Sequence, residues 1–132
     1  ANDLCRKVVS QGQLKLNSSR LIQRDFISIH EICQTILFFL DNKASLPTNG
    51  EIYNLSSGHS TSLESLSEVI ASRANKILRI SPKIIFKHAD IVKESISLKI
   101  SNDKIKKLGI PISKSIIDEV DELLIHCVKW FK

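Results

Sequence analysis

The sequence predicts a mixed α/β domain built from short strands and about five helices. Two observations carry this prediction. Stretches with apolar residues at helical spacing alternate with short runs rich in β-branched residues, and glycine, asparagine or proline follows several of these stretches. The chain has 132 residues, 42% of them hydrophobic and 25% charged, which is typical of a globular domain with one modest core.

The helices are predicted from apolar periodicity and from the residues that begin and end each stretch. They cover residues 3–11 before Gly12, residues 31–41, the stretch after a capping-box pattern at Thr61 and Glu64, residues 103–108 before Gly109, and a last helix capped by Ser115 and Asp118 that runs to Phe131. Strands are predicted over residues 14–16, 26–29, 51–55 and 84–86. Because no Gly-rich turn follows a strand, this order of elements is not a complete dinucleotide-binding fold.

Arg24 and Asp25 place two opposite charges directly before the predicted strand at residues 26–29. A strand that serves only for packing has no need of a charged pair at its start. We therefore interpret Arg24 as a residue at the mouth of a binding site. An exposed loop arginine that pairs with Asp25 is the alternative, and the residues alone leave it open.

The net charge of +5 raises the question of nucleic-acid binding. Between Lys76 and Lys107, nine basic residues face only three acidic ones. Aromatic residues for base stacking are not interleaved with these lysines, so we expect a solvated basic face and no nucleic acid as partner. An anion or phosphate site in this stretch remains an open alternative.

The cysteines Cys5, Cys33 and Cys127 are odd in number and far apart. This pattern fits neither a disulfide framework nor a zinc site, and it favours reduced, buried thiols in a cytoplasmic protein. No stretch is apolar over the length of a membrane span, so no membrane partner is expected. The four histidines lie far apart in the sequence, and no catalytic or metal-binding set is predicted.

Three stretches carry a resemblance to a known family: QRDFISIHEICQTILFFLD, GEIYNLSSGHSTSLESLSEVIASRA and SNDKIKKLGIPISKSIIDEVDELLIHCVKWF. In order and spacing they resemble the C-terminal part of the NAD(P)-dependent nucleotide-sugar epimerases and dehydratases, the extended short-chain dehydrogenase/reductases. That family has Arg-Asp-Phe/Tyr-Ile/Val before one helix, then Tyr-Asn-Ile/Leu-Gly-Ser/Thr-Gly, then Leu-Gly-Trp/Tyr-x-Pro before a last helix. The resemblance covers essentially the whole chain.

The resemblance implies that residues 1–132 form the C-terminal substrate-binding region of such an enzyme. The N-terminal Rossmann domain would be absent, because its glycine fingerprint and its Tyr-x-x-x-Lys catalytic pair have no counterpart in the sequence. The parent protein would use NAD or NADP for 4-keto sugar chemistry, for example as UDP-glucose 4-epimerase does. This region would bind no cofactor and would be inactive alone, while it holds the nucleotide of the nucleotide sugar.

The resemblance also implies which residues meet the nucleotide. The family's arginine in the Arg-Asp-Phe block contacts the diphosphate or its ribose, and here that position is Arg24. Asp25 is expected to tie down the loop. The preceding strand frames the base at Lys15, Leu16 and Asn17, although the family commonly has an aromatic or bulky residue where Asn17 stands.

A second family arginine follows the strand predicted at residues 84–86. The cations near that place in this chain are Lys87 and His88, and we expect them to be weaker substitutes for the arginine. Tyr53 and Asn54 are expected to brace the turn at Gly58, and Trp130 and Phe131 are expected to lie in the core.

In the resembling enzymes, the segments at residues 26–29, 31–41 and 51–55 pack against the cofactor domain. The helix at residues 31–41 is apolar nearly all round, so the isolated chain is expected to self-associate through Phe38 and Phe39. The alternatives to an enzyme fragment are a free-standing nucleotide- or anion-binding module and, less favoured, a nucleic-acid-binding protein.

Overall fold

Five helices and four strands lie in the part of the chain that the computed structural model describes, which is residues 1–42, 49–87, 98–110, 112 and 115–131. In chain order they are α1 (Asn2–Gln11), β1 (Gln13–Leu16), β2 (Gln23–Asp25), α2 (Ile29–Asp41), β3 (Ser60–Ser62), α3 (Leu63–Leu78), β4 (Lys83–Phe86), α4 (Asp103–Lys106) and α5 (Ile116–Phe131). The predicted mixed α/β class is confirmed. None of the helices described is long and apolar enough to cross a membrane.

The core lies between α1, α3, α5 and the inner face of β1. On α3, the buried residues Leu66, Ile70 and Ala74 recur every four positions and so share one face of the helix. The other fully buried apolar residues of this core are Cys5, Val8, Leu14, Val120 and Leu124. The apolar residues that predicted the helices are therefore the residues that face the core.

The strands form two separate two-stranded sheets. In the first sheet, β1 pairs in parallel with β4, and Leu16 stands opposite Phe86. Two further backbone bonds extend this ladder, from Lys83 N to the Gly12 carbonyl and from Lys87 N to the Leu16 carbonyl, each 3.0 Å long. In the second sheet, β2 pairs antiparallel with β3.

The strand predicted at residues 26–29 is wrong, because the strand ends at Asp25 and a helix begins at Ile29. The cause is a capping box. The Ser28 hydroxyl accepts a hydrogen bond from Glu31 N at 3.0 Å, while the Glu31 carboxylate accepts one from Ser28 N at 3.4 Å. These reciprocal bonds satisfy the first turn of α2 and outweigh the β preference of the isoleucines.

The strand predicted at residues 51–55 is also wrong, since no ladder includes these residues in the described part of the chain. Side chains from α4 and α2 hold the segment instead. Lys104 Nζ lies 3.0 Å from the Ile52 carbonyl, 3.0 Å from the Glu51 carboxylate and 4.6 Å from the centre of the Tyr53 ring. Alternation in sequence gave an extended segment, but an extended segment needs a neighbouring strand to become part of a sheet.

Two details of the helices differ from the expectation. The cap of α3 is Ser62 and not the predicted Thr61: α3 begins at Leu63, and the Ser62 hydroxyl accepts a hydrogen bond from Ser65 N at 3.0 Å. Trp130 is 64% exposed, with its ring near His126, and Phe131 is 48% exposed, so the prediction that these two residues lie in the core is wrong.

Helix α2 turns an apolar face to solvent. Five exposed residues share one side of this helix, and we call them the α2 apolar face: Ile29, Cys33, Ile36, Leu37 and Leu40. Its inward side carries the buried Glu31 and Thr35. Phe38 and Phe39 are half-buried, and the Phe39 ring lies 5.3 Å from that of Tyr53.

We expect Leu124→Ala to lower the free energy of unfolding by about 2–5 kcal/mol, because Leu124 is fully buried between the helices. Ile125→Ala is the matched control, since Ile125 is 60% exposed on the same helix, and it should change stability by at most about 0.5 kcal/mol. Denaturant unfolding measures both. Equal losses for the two variants would contradict the packing of α5 described here.

Candidate functional site

The carboxyl edge of the β1–β4 sheet brings together residues from two distant parts of the sequence. Lys15 and Asn17 lie at the end of β1, and Lys87 directly follows β4. All three residues are exposed. Because the two strands are parallel, their carboxyl ends lie at the same edge, where ligands commonly bind in α/β proteins. We call these three residues the carboxyl-edge set.

Leu16 lies between these residues but points the other way. Its side chain is 5% exposed, and its carbonyl accepts the hydrogen bond from Lys87 N at 3.0 Å. Its role is therefore to hold β1 and β4 together beneath the carboxyl-edge set. His88, predicted beside Lys87, lies outside the described residues.

Arg24 lies on the second sheet, in the middle of β2 and opposite Thr61. Its side chain is exposed, and its guanidinium donates a hydrogen bond to the Gln23 carbonyl at 2.9 Å. That carbonyl is a backbone acceptor, so the bond leaves the fixed positive charge without neutralisation by a carboxylate. A guanidinium in this state can exchange the carbonyl for the oxygens of a phosphate group.

Asp25 turns to the face of β2 opposite Arg24, because neighbouring residues alternate along a strand. Its two carboxylate oxygens accept hydrogen bonds from Ser57 N at 2.8 Å and from Gly58 N at 3.2 Å. The expectation that Asp25 ties down a loop agrees with this geometry. The alternative of an Arg24–Asp25 ion pair does not, since the carboxylate is occupied by backbone groups.

Asn102 holds the same loop from its other side, and sequence reasoning missed it. Its buried amide donates a hydrogen bond to the Ser56 carbonyl at 2.9 Å, while the Ser56 hydroxyl donates one to the Ile100 carbonyl at 3.0 Å. Gly58 has φ +79, and a Cβ there would lie 2.9 Å from the Asn102 amide nitrogen. The available signal was asparagine before a helix, but that pattern predicts a local cap, whereas this side chain makes no cap bond to α4.

Two adjoining cavities lie away from the carboxyl-edge set and Arg24. One of about 650 Å³ lies between α1 and α5, and one of about 400 Å³ continues it toward residues 26–28. A third cavity, of about 330 Å³, is lined by Ser57, His59 and Thr61, the residue paired with Arg24. The lining of the largest of these three cavities includes Asp3, Glu119 and Glu122 beside Arg6, and Arg6 pairs with Asp3 at 2.7 Å. Carboxylates outnumber the arginine there and disfavour an anionic ligand, so we place the candidate anion site at Arg24, Lys15 and Lys87.

Two of the three cysteines, Cys5 and Cys127, are buried, whereas the predicted burial of Cys33 is wrong because this residue is exposed. No group of histidine, cysteine and carboxylate side chains there could hold a metal ion. Burial raises the pKa of the Cys5 thiol to about 12, and it also raises the pKa of Cys127. Both thiols are therefore protonated at neutral pH and are poor nucleophiles.

The chain has similar proteins among solved structures but none by sequence. No protein family and no curated protein matches the sequence. Among solved structures, RMD from Pseudomonas aeruginosa in complex with NADPH matches with a TM-score of 0.76 at 16% identity, over 97% of this chain and 41% of that chain. TunA, an NAD-dependent NDP-hexosamine 5,6-dehydratase involved in tunicamycin biosynthesis, matches with a TM-score of 0.66 at 15% identity, over 96% of this chain and 39% of that chain.

These similarities show the fold. The chain folds like part of RMD and like part of TunA, and this agrees with the mixed α/β fold that the resemblance of its sequence implied. It spans 41% of the length of RMD and 39% of the length of TunA.

The three thiols should differ sharply in reactivity. Cys33 is exposed, whereas Cys5 and Cys127 are buried and have raised pKa values. With a thiol reagent such as DTNB at pH 8, we expect Cys33 to react in the folded protein and the other two to react only after unfolding. Cys33→Ser is the control and should abolish the fast phase. Rapid reaction of all three thiols would contradict the burial of the α1–α5 interface.

Proposed function

We propose that the chain is the nucleotide-sugar-binding region of an NAD(P)-dependent sugar-nucleotide epimerase or dehydratase. The parallel pairing of β1 with β4 is the observation that carries this proposal, because it places Lys15, Asn17 and Lys87 at one edge of a sheet. In the proposal, Lys87 and Arg24 bind the diphosphate, while Lys15 and Asn17 frame the base. Leu16, predicted from the resemblance to frame the base as well, is buried and supports them by holding β1 to β4. His88 completes the set.

These residues fit a diphosphate for chemical reasons. Arginine presents a planar fork that matches two phosphate oxygens, while lysine acts as a mobile point charge. The Asn17 amide offers both donors and an acceptor, which suits a base or a ribose hydroxyl. Binding energy at the nucleotide end of the substrate would position the sugar for a reaction elsewhere in the enzyme.

The cofactors and the substrate named for the two similar structures support this assignment. RMD was solved with NADPH, and TunA is an NAD-dependent enzyme that acts on an NDP-hexosamine. We propose that residues 1–132 are the C-terminal region of a comparable cytoplasmic enzyme, and that an N-terminal Rossmann domain binds NAD or NADP. That cofactor would supply the hydride chemistry at C4 of the sugar, and this chain would bind the nucleotide part of the substrate.

We expect Arg24→Ala to weaken the binding of a nucleoside diphosphate by about 1.5–3 kcal/mol, the usual range for a hydrogen bond to a charged group. Arg24→Lys should restore part of the loss, because it restores the charge but not the fork. NMR titration with UDP and GDP measures the affinities.

The matched control for Arg24 is Arg79→Asn. Arg79 lies at the end of α3, before β4 begins and so toward the amino edge of the β1–β4 sheet, and asparagine tolerates its φ of +58. This variant loses the same charge and should bind almost as the unchanged chain does. Equal losses for Arg24→Ala and Arg79→Asn would mean that net charge alone accounts for binding, and the proposed site would be wrong.

The α2 apolar face is the surface on which we propose that the Rossmann domain packs. Ile29 and Leu40, at its two ends, are 67% and 66% exposed, and Ile52 on the neighbouring extended segment is 84% exposed. An apolar face of this kind is costly in water. In RMD, 59% of the chain lies outside the matched part, which is ample to cover such a surface (100% less 41%).

In the isolated chain we expect this face to bring copies together. Light scattering with size-exclusion chromatography should show a mass that rises with concentration. Phe38 and Phe39, through which the sequence led us to expect association, are half-buried, so Phe38→Ser/Phe39→Ser should chiefly destabilise the fold. Ile36→Ser/Leu40→Ser, which changes residues 53% and 66% exposed on the α2 apolar face, should restore the monomer. Ile125→Ser on α5 is the control for surface hydrophobicity. A wild-type chain that stays monomeric at high concentration would contradict the prediction.

A further inference from the structure

Two side chains hold the loop at residues 56–58 from opposite sides. Asp25 accepts hydrogen bonds from Ser57 N and Gly58 N, and Asn102 donates one to the Ser56 carbonyl. We call this arrangement the Asp25–Asn102 clamp. It joins three segments that are far apart in the sequence, namely β2, the loop before β3, and the residues before α4.

The clamp acts on the strand that carries Arg24. Both β2 and β3 are three residues long, and a ribbon of this size has little stability of its own. Asp25 fixes one face of β2 to the loop, and alternation along the strand then fixes the opposite face, where Arg24 stands. The loop is fixed in turn by Asn102, which is 3% exposed and therefore well ordered by its surroundings.

We propose that Asp25 and Asn102 are positioning residues for the anion site, and that they act through Arg24. This inference rests on the proposed function, because the ligand is the same nucleoside diphosphate. It gives Asp25 a role that its negative charge alone would oppose. A carboxylate beside an anion site repels the ligand, so Asp25 would be retained there for the geometry that it imposes on β2.

Whether Asp25→Asn raises or lowers the affinity for UDP distinguishes a geometric role of Asp25 from an effect of its charge. Asp25→Asn has the same shape, but its amide presents a donor where Gly58 N also donates, so at least one of the two loop bonds is lost. Loss of the negative charge alone would strengthen anion binding. The clamp predicts the opposite, a loss of affinity for UDP of about tenfold. Asp41→Asn is the control for charge, since Asp41 is exposed at the end of α2.

Asn102→Ala reaches the same loop without a change of charge. It removes the donor to the Ser56 carbonyl, and it should weaken UDP binding in the same direction as Asp25→Asn. Thermal unfolding and the amide NMR spectrum identify variants that remain folded. If one of the two variants fails to fold, the other carries the test.

A double-mutant cycle with Arg24→Ala tests whether the clamp acts through that arginine. Once Arg24 is alanine, we expect Asp25→Asn to weaken UDP binding no further, and the loss of its negative charge should leave the affinity unchanged or slightly higher. Additive losses, or tighter binding by Asp25→Asn alone, would overturn the inference and leave the proposed function standing. If the unchanged chain binds neither UDP nor GDP, or if Arg24→Ala binds normally, the proposed function itself fails.

A measurement without ligand distinguishes these failures. NMR relaxation of the Arg24 Nε–H group reports how well its side chain is ordered. Asp25→Asn and Asn102→Ala should each increase its motion, whereas Asp41→Asn should not. Unchanged relaxation in both clamp variants would overturn the positioning role, whatever the chain binds.

Discussion

The parallel hydrogen bonding of β1 to β4 is the interaction on which the arrangement of this chain depends. Parallel strands need a long crossover connection, and here the connection contains β2, α2, β3 and α3. A two-stranded parallel sheet is weak by itself. It persists because Leu14 and the half-buried Ile84 belong to the core that α1, α3 and α5 build. The core therefore holds the sheet, and the sheet sets the position of the carboxyl-edge set.

Binding and stability are divided between the two sides of β1. Leu14 and Leu16 point inward and are buried, while Lys15 and Asn17 are exposed. The second sheet supplies Arg24 by the same alternation, with Asp25 fixed to the loop on its other face. In both sheets, one residue of a neighbouring pair holds the structure together while the other is exposed and available for a ligand. A single substitution can therefore remove a ligand contact without a loss of packing.

Much of the fold follows from local patterns that the sequence displays. The periodicity of α3 and α5 and the glycine after α1 predict these helices correctly, because their inward faces are continuous and their ends are punctuated. The errors arise where competing local chemistry decides. Ser28 and Glu31 begin a helix within a run of β-branched residues, and the segment at residues 51–55 lacks a neighbouring strand. The role of Asn102 could not be predicted, because its hydrogen-bond partner, Ser56, is distant in the sequence.

The candidate site could be predicted only in part for the same reason. The resemblance located Arg24, Lys15 and Lys87 singly, but only strand pairing brings Lys15 and Lys87 to one edge. The cavities between α1 and α5 had no signal in the sequence, since they arise from helix packing.

A map of amide NMR shifts during titration with UDP or GDP tests the central claim most directly. The amides of Asn17 and Lys87 at the carboxyl edge should shift, together with that of Arg24. Those of Gln13 and Lys83, the opposite pair at the amino edge of the same two strands, should stay in place. Shifts confined to Asp3 and His126, which line the cavity between α1 and α5, would contradict the account.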